Sequence, residues 1–374
     1  MKFIISSEKF AKTIQPLLGI VINNPALPII ENLLIEVREN TLSAKATDLE
    51  TTIINSTSVE ADSEASIAIN AKLLSETLRT FPEQPLTFKT NEENQTIEIV
   101  SEQGNYSLSY TNGAEFPSTP QIGESKSISI SSKILENGIK NTLFAAGNDD
   151  LRPVMSGVYM EINNEHILFV ATDAHKLVKY ENVLTENIEH SASLIIPKKP
   201  LQLLKNILSD FDTEIKIEHN NTNSIFSFQN MEIYCRLIEG NYPNYSAVIP
   251  KENSHKLSID RKRLLNCLKR VSIFSNQSTN QIKFKINGNE LIISGEDMDF
   301  SNKANEEIKC EYEGQEIEIG FNGKFLIEII NTLISEKIEM HFSSPSKAAI
   351  IFPDQKNESE NILMLVMPVM LNQN

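Results

Sequence analysis

Four short sequence patterns each occur three times in this chain of 374 residues, at steps of 124 to 129 residues. The first is an opening segment in which apolar and polar residues alternate, and the second is a three-residue segment that ends in Asp. The third is a Lys followed by apolar residues, and the fourth is an aromatic residue or Met followed by Pro. The patterns begin at Lys2, Ser127 and Lys256; at Ala46, Ala171 and Gly295; at Lys72, Lys199 and Lys324; and at Phe116, Tyr242 and Met367. The chain is therefore predicted to be three copies of one domain, at 1–123, 124–252 and 253–374, each near the usual domain size.

Each copy is predicted to contain a short strand, a helix, a hairpin, a second helix and closing strands. The hairpin turns carry Glu39-Asn40, Asn163-Asn164 and Asn287-Gly288, and Asn-Gly is a strong hairpin signal. The predicted hairpins join 34–38 to 42–48, 158–162 to 167–173 and 282–286 to 290–294. The predicted helices span 8–18, 71–80, 132–144, 200–208, 261–273 and 323–334. Two helices packed on antiparallel sheet in each copy make an α+β fold.

The composition restricts the class of protein. The three Cys residues (Cys235, Cys267 and Cys310) are too few and too scattered for a disulfide framework, so we expect reduced thiols and a cytoplasmic protein. The longest apolar run, 362–371, contains Pro368 and is too short to span a bilayer. The net charge of −16 argues against nucleic acid unless basic residues cluster on one surface. No cofactor and no metal site is expected.

Basic residues are paired at a spacing of seven on, or at the start of, the predicted helices. The pairs are Lys72 with Arg79, Lys133 with Lys140, Lys198 with Lys205, and Lys262 with Lys269. Seven positions bring two side chains to one helical face. One interpretation is the ordinary solvated face of an amphipathic helix. The other is a surface that binds a phosphate backbone without reading bases.

Several segments resemble the bacterial sliding clamp family, the β subunit of DNA polymerase III. The most specific are 151–157 (LRPVMSG) and 171–177 (ATDAHKL), supported by 1–3 (MKF), 27–29 (LPI), 47–50 (TDLE), 240–245 (GNYPNY) and 366–369 (VMPV). The resemblance covers the whole chain. It implies a head-to-tail homodimer that forms a ring of six domains around duplex DNA. Such a ring leaves no free strand edges at the junction of the copies.

The resemblance also implies a hydrophobic groove that binds short client peptides. Its residues would be Met155, Thr172, Ala174, His175, Lys176, Leu177, Pro243, Val248, Leu365, Met367, Pro368, Val369 and Met370. Met and Leu suit an adaptable apolar slot. On the residues alone, Leu365 and Met367 fit an ordinary closing strand equally well.

The resemblance and the basic pairs also predict residues that bind DNA and residues that form the dimer contact. The DNA-binding set is Asn24, Lys72, Arg79, Asn148, Asp149, Arg152, Lys198, Lys199 and Lys205. The dimer contact would join Tyr106 and Leu108 of the first domain to Ile273 and Phe274 of the third. The alternative for this second set is that its members are core residues.

The preferred functional hypothesis is a processivity factor without enzymatic activity. Its partners would be DNA of any sequence, a second copy of the chain, the replicative polymerase α subunit, a clamp loader and other clamp-binding proteins, with no membrane involved. The main alternative is a three-domain peptide scaffold that does not encircle DNA. A third hypothesis, an enzyme, would need Asp173 and His175 to act as a dyad, and the sequence has none of the common catalytic motifs.

Overall fold

The computed structural model describes residues 2–184, 191–354 and 359–371. Met1 and residues 372–374, at the ends of the first and third predicted domains, lie outside the described residues. The chain forms two compact units, which we call unit 1 (Met1–Glu136 with Lys199–Leu237) and unit 2 (Asn137–Lys198 with Ile238–Asn374).

Among the described residues, six α-helices confirm the six predicted ones. They are α1 (Ser7–Ile14), α2 (Ala71–Thr80), α3 (Ser132–Thr142), α4 (Lys198–Leu208), α5 (Arg261–Val271) and α6 (Gly323–Thr332). The predictions ran too far at the ends of α1, α3, α5 and α6. At the first three of these ends the chain tightens into the 3₁₀ turns Gln15–Gly19, Leu143–Ala145 and Ser272–Phe274. Pro16 explains the first of these, because it has no N–H to continue the α-helical pattern.

The strands agree with the predicted hairpins to within a few residues. They are β1 (Lys2–Ser6), β2 (Asn32–Arg38), β3 (Thr41–Thr47), β4 (Thr51–Ser58), β5 (Glu60–Ala61), β6 (Ala65–Asn70), β7 (Pro85–Asn91), β8 (Thr96–Val100), β9 (Asn105–Asn112), β10 (Lys126–Ser131), β11 (Gly157–Ile162), β12 (His166–Thr172), β13 (Lys176–Val183), β14 (Ala192–Pro197), β15 (Glu214–His219), β16 (Asn223–Phe228), β17 (Met231–Arg236), β18 (His255–Asp260), β19 (Gln281–Asn287), β20 (Glu290–Asp297), β21 (Asn302–Lys309), β22 (Glu311–Glu313), β23 (Ile317–Asn322), β24 (Lys337–Phe342), β25 (Ala349–Pro353) and β26 (Glu360–Val366). Glu39 and Asn40 have φ angles of 46° and 60°, the left-handed conformation that a two-residue hairpin turn requires.

Unit 1 is built on one antiparallel sheet in the order β10-β15-β16-β17-β4-β3-β2-β6-β9-β8-β7-β1-β5. Its core includes buried aromatic rings from β1, α1 and β7. The Phe3 and Phe88 rings stack at 4.7 Å, and Phe10 meets Phe88 edge-on at 5.2 Å. Strands β4 and β17 join segments distant in sequence, with Thr52 opposite Tyr234.

The described part of unit 2 contains two antiparallel sheets, β14-β11-β12-β13-β26-β25-β24-β18-β22 and β21-β20-β19-β23. In the larger sheet, β13 pairs with the last strand β26, so that Leu177 stands opposite Leu365. Strand β21 forms an edge of the smaller sheet. Among the described helices, none is both long and apolar enough to cross a membrane.

Candidate peptide groove and nucleic-acid-binding residues

The groove residues predicted between 172 and 177 begin in a tight turn, which we call the second turn (Thr172 to Lys176). The Thr172 hydroxyl donates to the Lys176 carbonyl at 2.8 Å and accepts the Ala174 N–H at 3.1 Å. The Asp173 Oδ1 atom accepts the N–H groups of His175 and Lys176 at 2.9 and 2.8 Å. Ala174 has a φ of 73°, and its exposed methyl group projects from the turn. Local side-chain hydrogen bonds therefore shape this part of the site.

Lys176 is a buried charged residue at this site, with only 5% of its surface exposed. Its ammonium group lies 2.7 Å from Asp173 Oδ2 and 3.1 Å from a Glu328 carboxylate oxygen. It also lies 4.4 Å from the centre of the Phe325 ring. Two carboxylates and an aromatic face thus compensate a charge that would be costly to bury alone.

Asp173 and His175 do not form the dyad that an enzyme would need. Burial favours a raised pKa for Asp173, but the Lys176 ammonium and the backbone N–H groups of Lys176 and His175 outweigh it and lower that pKa. The His175 ring lies against the Phe325 ring, with centroids 5.8 Å apart. The Asp173 carboxylate is a structural anion of the turn.

An apolar cluster lies beneath the second turn. Its buried members are Leu168, Val170, Leu177, Ala348 and Leu365, and partly buried tyrosines pack on them. The Tyr159 and Tyr242 rings stack at 5.0 Å. Of the predicted groove residues, Leu177 and Leu365 are therefore buried in this cluster, whereas Val248, Met367 and Met370 are exposed apolar side chains. Met155, Pro243, Pro368 and Val369 are partly exposed.

The segment after β26 is held in place by backbone contacts. The Met367 N–H donates to the His175 carbonyl, and the Val369 N–H donates to the Gly320 carbonyl, both at 2.8 Å. A β-carbon on Gly320 would stand 2.4 Å from the Val369 carbonyl oxygen. Gly320 is needed for this close approach, so the segment after β26 is held at the second turn through Met367 and at β23 through Val369.

Sequence reasoning missed Gly320, Phe325 and Glu328 as parts of this site. Phe325 follows Lys324, one of the repeated sequence anchors, but nothing in the pattern connects it to Lys176. The contact depends on folding that brings α6 to the second turn, about 150 residues away in sequence.

The predicted DNA-binding residues fall into both units. In unit 2, Lys198 donates to the Asn148 side-chain oxygen at 2.6 Å, and Arg152 lies 2.7 Å from Asp149. Burial, reinforced by the positive charge of Lys176 and opposed by Asp173, lowers the pKa of Lys198. The structure thus groups these four residues into two pairs.

In unit 1, α2 exposes both Lys72 and Arg79, as their spacing predicts. Lys199 instead forms an ion pair with Asp48, and Lys205 is half-buried. The Asn24 side chain accepts the Ala26 N–H within its own loop.

The four predicted dimer residues differ in exposure. Leu108 is buried, whereas Tyr106 and Phe274 are exposed and Ile273 is 68% exposed. Tyr106 packs edge-on against Phe81 at 5.1 Å. Three of the four are therefore not core residues in a single chain.

Comparison with known proteins accounts for nearly the whole chain. Residues 1–120, 129–244 and 246–369 match the N-terminal, central and C-terminal domain models of the DNA polymerase III beta subunit. A beta sliding clamp from Synechococcus elongatus is 27% identical over 380 residues, covering 99% of this chain and all of the relative.

Solved structures agree with this match. A sliding clamp from Pseudomonas aeruginosa bound to griselimycin has a TM-score of 0.93 at 25% identity, covering 99% of this chain and all of that one. The clamp from Bacillus subtilis has a TM-score of 0.92 at 25% identity, with both chains fully covered. This chain therefore belongs to the DNA polymerase III β subunit family and carries its three α+β domains in tandem.

Proposed function

We propose that the protein is a DNA sliding clamp, a processivity factor that encircles duplex DNA as a head-to-tail homodimer and tethers the replicative polymerase. The observation that carries this proposal is the match to all three domains of the family, in order, along the chain. The proposed role is mechanical and involves no catalytic step.

The strand pairing supports a ring. In the first copy, β4 follows the hairpin and pairs with β17, the closing strand of the second copy. In the second copy, the corresponding strand β13 pairs with β26, the closing strand of the third copy. The corresponding strand of the third copy is β21, so the repeat predicts that β21 pairs with the closing strand of a first copy in another chain. The free side of β9 is the matching edge: in the described residues β6 reaches β9 only at 110–112, which leaves 105–109 paired with β8 alone.

We therefore expect β21 of one chain to pair with β9 of the next. The exposed Ile273 and Phe274 lie on the 3₁₀ turn that contacts β20 and β21, and Tyr106 lies on β9. Burying these side chains would add apolar area to the backbone pairing. A head-to-tail contact of this kind closes into a ring or continues as a filament, and two copies of three domains allow closure.

The charge distribution suits a ring that moves along DNA. The chain has a net charge of −16, while α2 presents Lys72 and Arg79 on one exposed face. Local basic faces bind phosphate without sequence preference, and overall negative charge weakens other contacts with DNA. Once a ring is closed, weak phosphate contacts are sufficient because topology prevents dissociation.

The groove beside the second turn is proposed to bind client peptides. Met367 and Val248 lie within three positions of the clustered residues Leu365 and Tyr245, and Met370 follows in the same segment as Met367. Their exposed side chains offer adaptable apolar contact to several different short segments. The polymerase α subunit, the clamp loader and other clamp-binding proteins are the proposed clients. The three cysteines are free and buried, which fits the proposed cytoplasmic location.

The test of this function is topological. The protein would be loaded on nicked circular plasmid with its clamp loader and ATP, isolated by gel filtration, and the DNA then linearised. A dimer that stays on circles and leaves linear DNA is expected. A monomer, or equal retention on both DNA forms, would contradict the proposal and favour the peptide scaffold.

A variant pair sharpens this test. Ile273→Asp places a charge on the proposed contact and should give a monomer that is not retained on circles. Ile334→Asp is the matched control, since Ile334 is 92% exposed and lies outside the proposed contact. It should behave as the unmodified protein does.

A further inference from the structure

Unit 1 contains a cavity of about 390 Å³ that none of the predicted sites uses. Its walls come from the turn after β3, the segment 120–122, the start of β16 and the end of β17. The residues that matter to its chemistry are Leu49, Glu50, Ile122, Asn223, Tyr234 and Arg236. Its volume lies in the range typical of ligand pockets, about 300–1,000 Å³.

The cavity occupies the position in the first repeat that the peptide groove occupies in the second. Leu49 corresponds to Ala174, and Ile122 follows the Phe116-Pro117 anchor as Val248 follows Tyr242-Pro243. The strands agree as well: Tyr234 stands opposite Thr52 on β4, as Leu365 stands opposite Leu177 on β13. The same arrangement of turn, loop and closing strand is therefore present twice.

The walls of the cavity are held in position without a ligand. Lys45 donates to the Pro117 carbonyl at 3.3 Å and to the Thr119 hydroxyl at 3.1 Å. The Asn220 side chain donates to the Ile122 carbonyl at 2.7 Å. The Arg236 N–H donates to the Glu50 carbonyl at 3.0 Å. A preformed cleft of this kind loses little conformational freedom when it binds a ligand.

The lining indicates the class of ligand. Leu49, which is 53% exposed, and Ile122 offer aliphatic contact. Glu50 and Arg236 stand at the opening 3.9 Å apart, each more than half exposed, so that their mutual attraction is weak. One further carboxylate lies close by, since the Tyr234 hydroxyl donates to Glu232 at 2.7 Å. Two carboxylates, Glu50 and Glu232, thus lie near one guanidinium, Arg236, and this excess of negative charge favours a cationic group.

We propose that this cavity is a second peptide site, occupied by an extended segment of a partner protein that places an aliphatic side chain against Leu49 and Ile122 and a basic side chain against Glu50. The proposal rests on the proposed function in one respect, since the site is the repeat-related counterpart of the client groove. It would allow one chain to hold two short segments at once.

The experiment uses the full chain with its Met, Leu and Ile methyl groups labelled for NMR. The probe is the capped tripeptide N-acetyl-Lys-Leu-Leu-amide, and its matched control is N-acetyl-Glu-Leu-Leu-amide. Signals of Leu49 and Ile122 report the cavity, whereas those of Met367 and Met370 report the groove. We expect the lysine probe to shift the Leu49 and Ile122 signals and to bind there at least threefold more tightly than the glutamate probe.

Two variants complete the test. Leu49→Asn introduces a residue that tolerates the positive φ of this position and removes the aliphatic wall. The affinity of the lysine probe at Ile122 should therefore fall at least fivefold while the Met367 shifts persist. Glu50→Gln should abolish the preference for the lysine probe.

The outcomes separate the two proposals. Shifts confined to Met367 and Met370 would overturn the second site and leave the groove standing. Shifts confined to Leu49 and Ile122 would support the second site and count against the groove. Shifts at neither pair would overturn both.

Discussion

The second turn has a close counterpart in unit 1, the first turn (Thr47 to Thr51). In both, the Thr hydroxyl donates to the carbonyl four residues on and accepts the N–H two residues on, at distances between 2.8 and 3.1 Å. In both, Asp Oδ1 accepts two backbone N–H groups. Leu49 and Ala174 have φ angles of 79° and 73°. The same local sequence has produced the same backbone twice.

The turns differ in what the second carboxylate oxygen binds. Asp48 pairs with Lys199, whose side chain is 40% exposed. Asp173 pairs with the buried Lys176 of its own turn, which also contacts Glu328 and Phe325 of α6. One turn ends in a partly solvated ion pair, and the other holds a buried charge beside the proposed peptide groove. Local sequence determines the backbone of the turn, whereas tertiary contacts determine which groups bind the second carboxylate oxygen of its Asp.

The largest predicted difference concerns the free energy of unfolding. Asp173→Asn keeps the oxygen that accepts the backbone N–H groups but takes a carboxylate from the buried Lys176, so we expect a loss of about 2–3 kcal/mol. Asp48→Asn should lose about 1 kcal/mol or less, because Lys199 can turn toward solvent. Urea unfolding at pH 7 measures both. Equal losses would contradict the comparison, and the double variant Asp173→Asn with Lys176→Met should recover part of the loss.

The second prediction concerns pH. The pKa of Asp173 is lowered in the folded state from its ordinary value of 3.8, so its contribution is complete above about pH 5 and disappears as the pH falls through the folded-state pKa. The difference in unfolding free energy between the unmodified protein and Asp173→Asn should therefore be constant from pH 5 to 7 and shrink below pH 4. A difference that does not change across this range would show that the charge of Asp173 is not what stabilises the second turn.

The smallest predicted effect comes from the positive φ angles. Replacing Ala174 by Gly removes the steric cost of a β-carbon and should stabilise the protein by about 0.5–1 kcal/mol. Leu49→Gly should gain less, since the Leu49 side chain contributes a wall of the cavity. Thermal unfolding midpoints measure both. Ala247→Gly, at an exposed position without positive φ, is the control and should lower the midpoint.

Much of the fold follows from patterns that repeat along the chain. The helices were predictable because the same order of elements recurs in each copy, and the hairpins because their strands flank turns that contain Asn. The helix ends were less predictable: α4 begins at Lys198, two residues before the predicted start at Pro200, since Pro is tolerated in the first turn of a helix. The groove residues came from a family resemblance rather than from periodicity, and their role in peptide binding remains a prediction.

The sequence by itself determined the three tandem domains, their helices and hairpins, and the two Thr-Asp turns, because each depends on residues close together in the chain. Only the tertiary structure decided that Lys176 lies between Asp173, Glu328 and Phe325, that Gly320 holds the segment after β26, and that a cavity opens beside Leu49. These features join residues that lie up to about 190 positions apart in the sequence. Burial, charge compensation and close backbone approach are properties of the assembled core, and no local pattern specifies them.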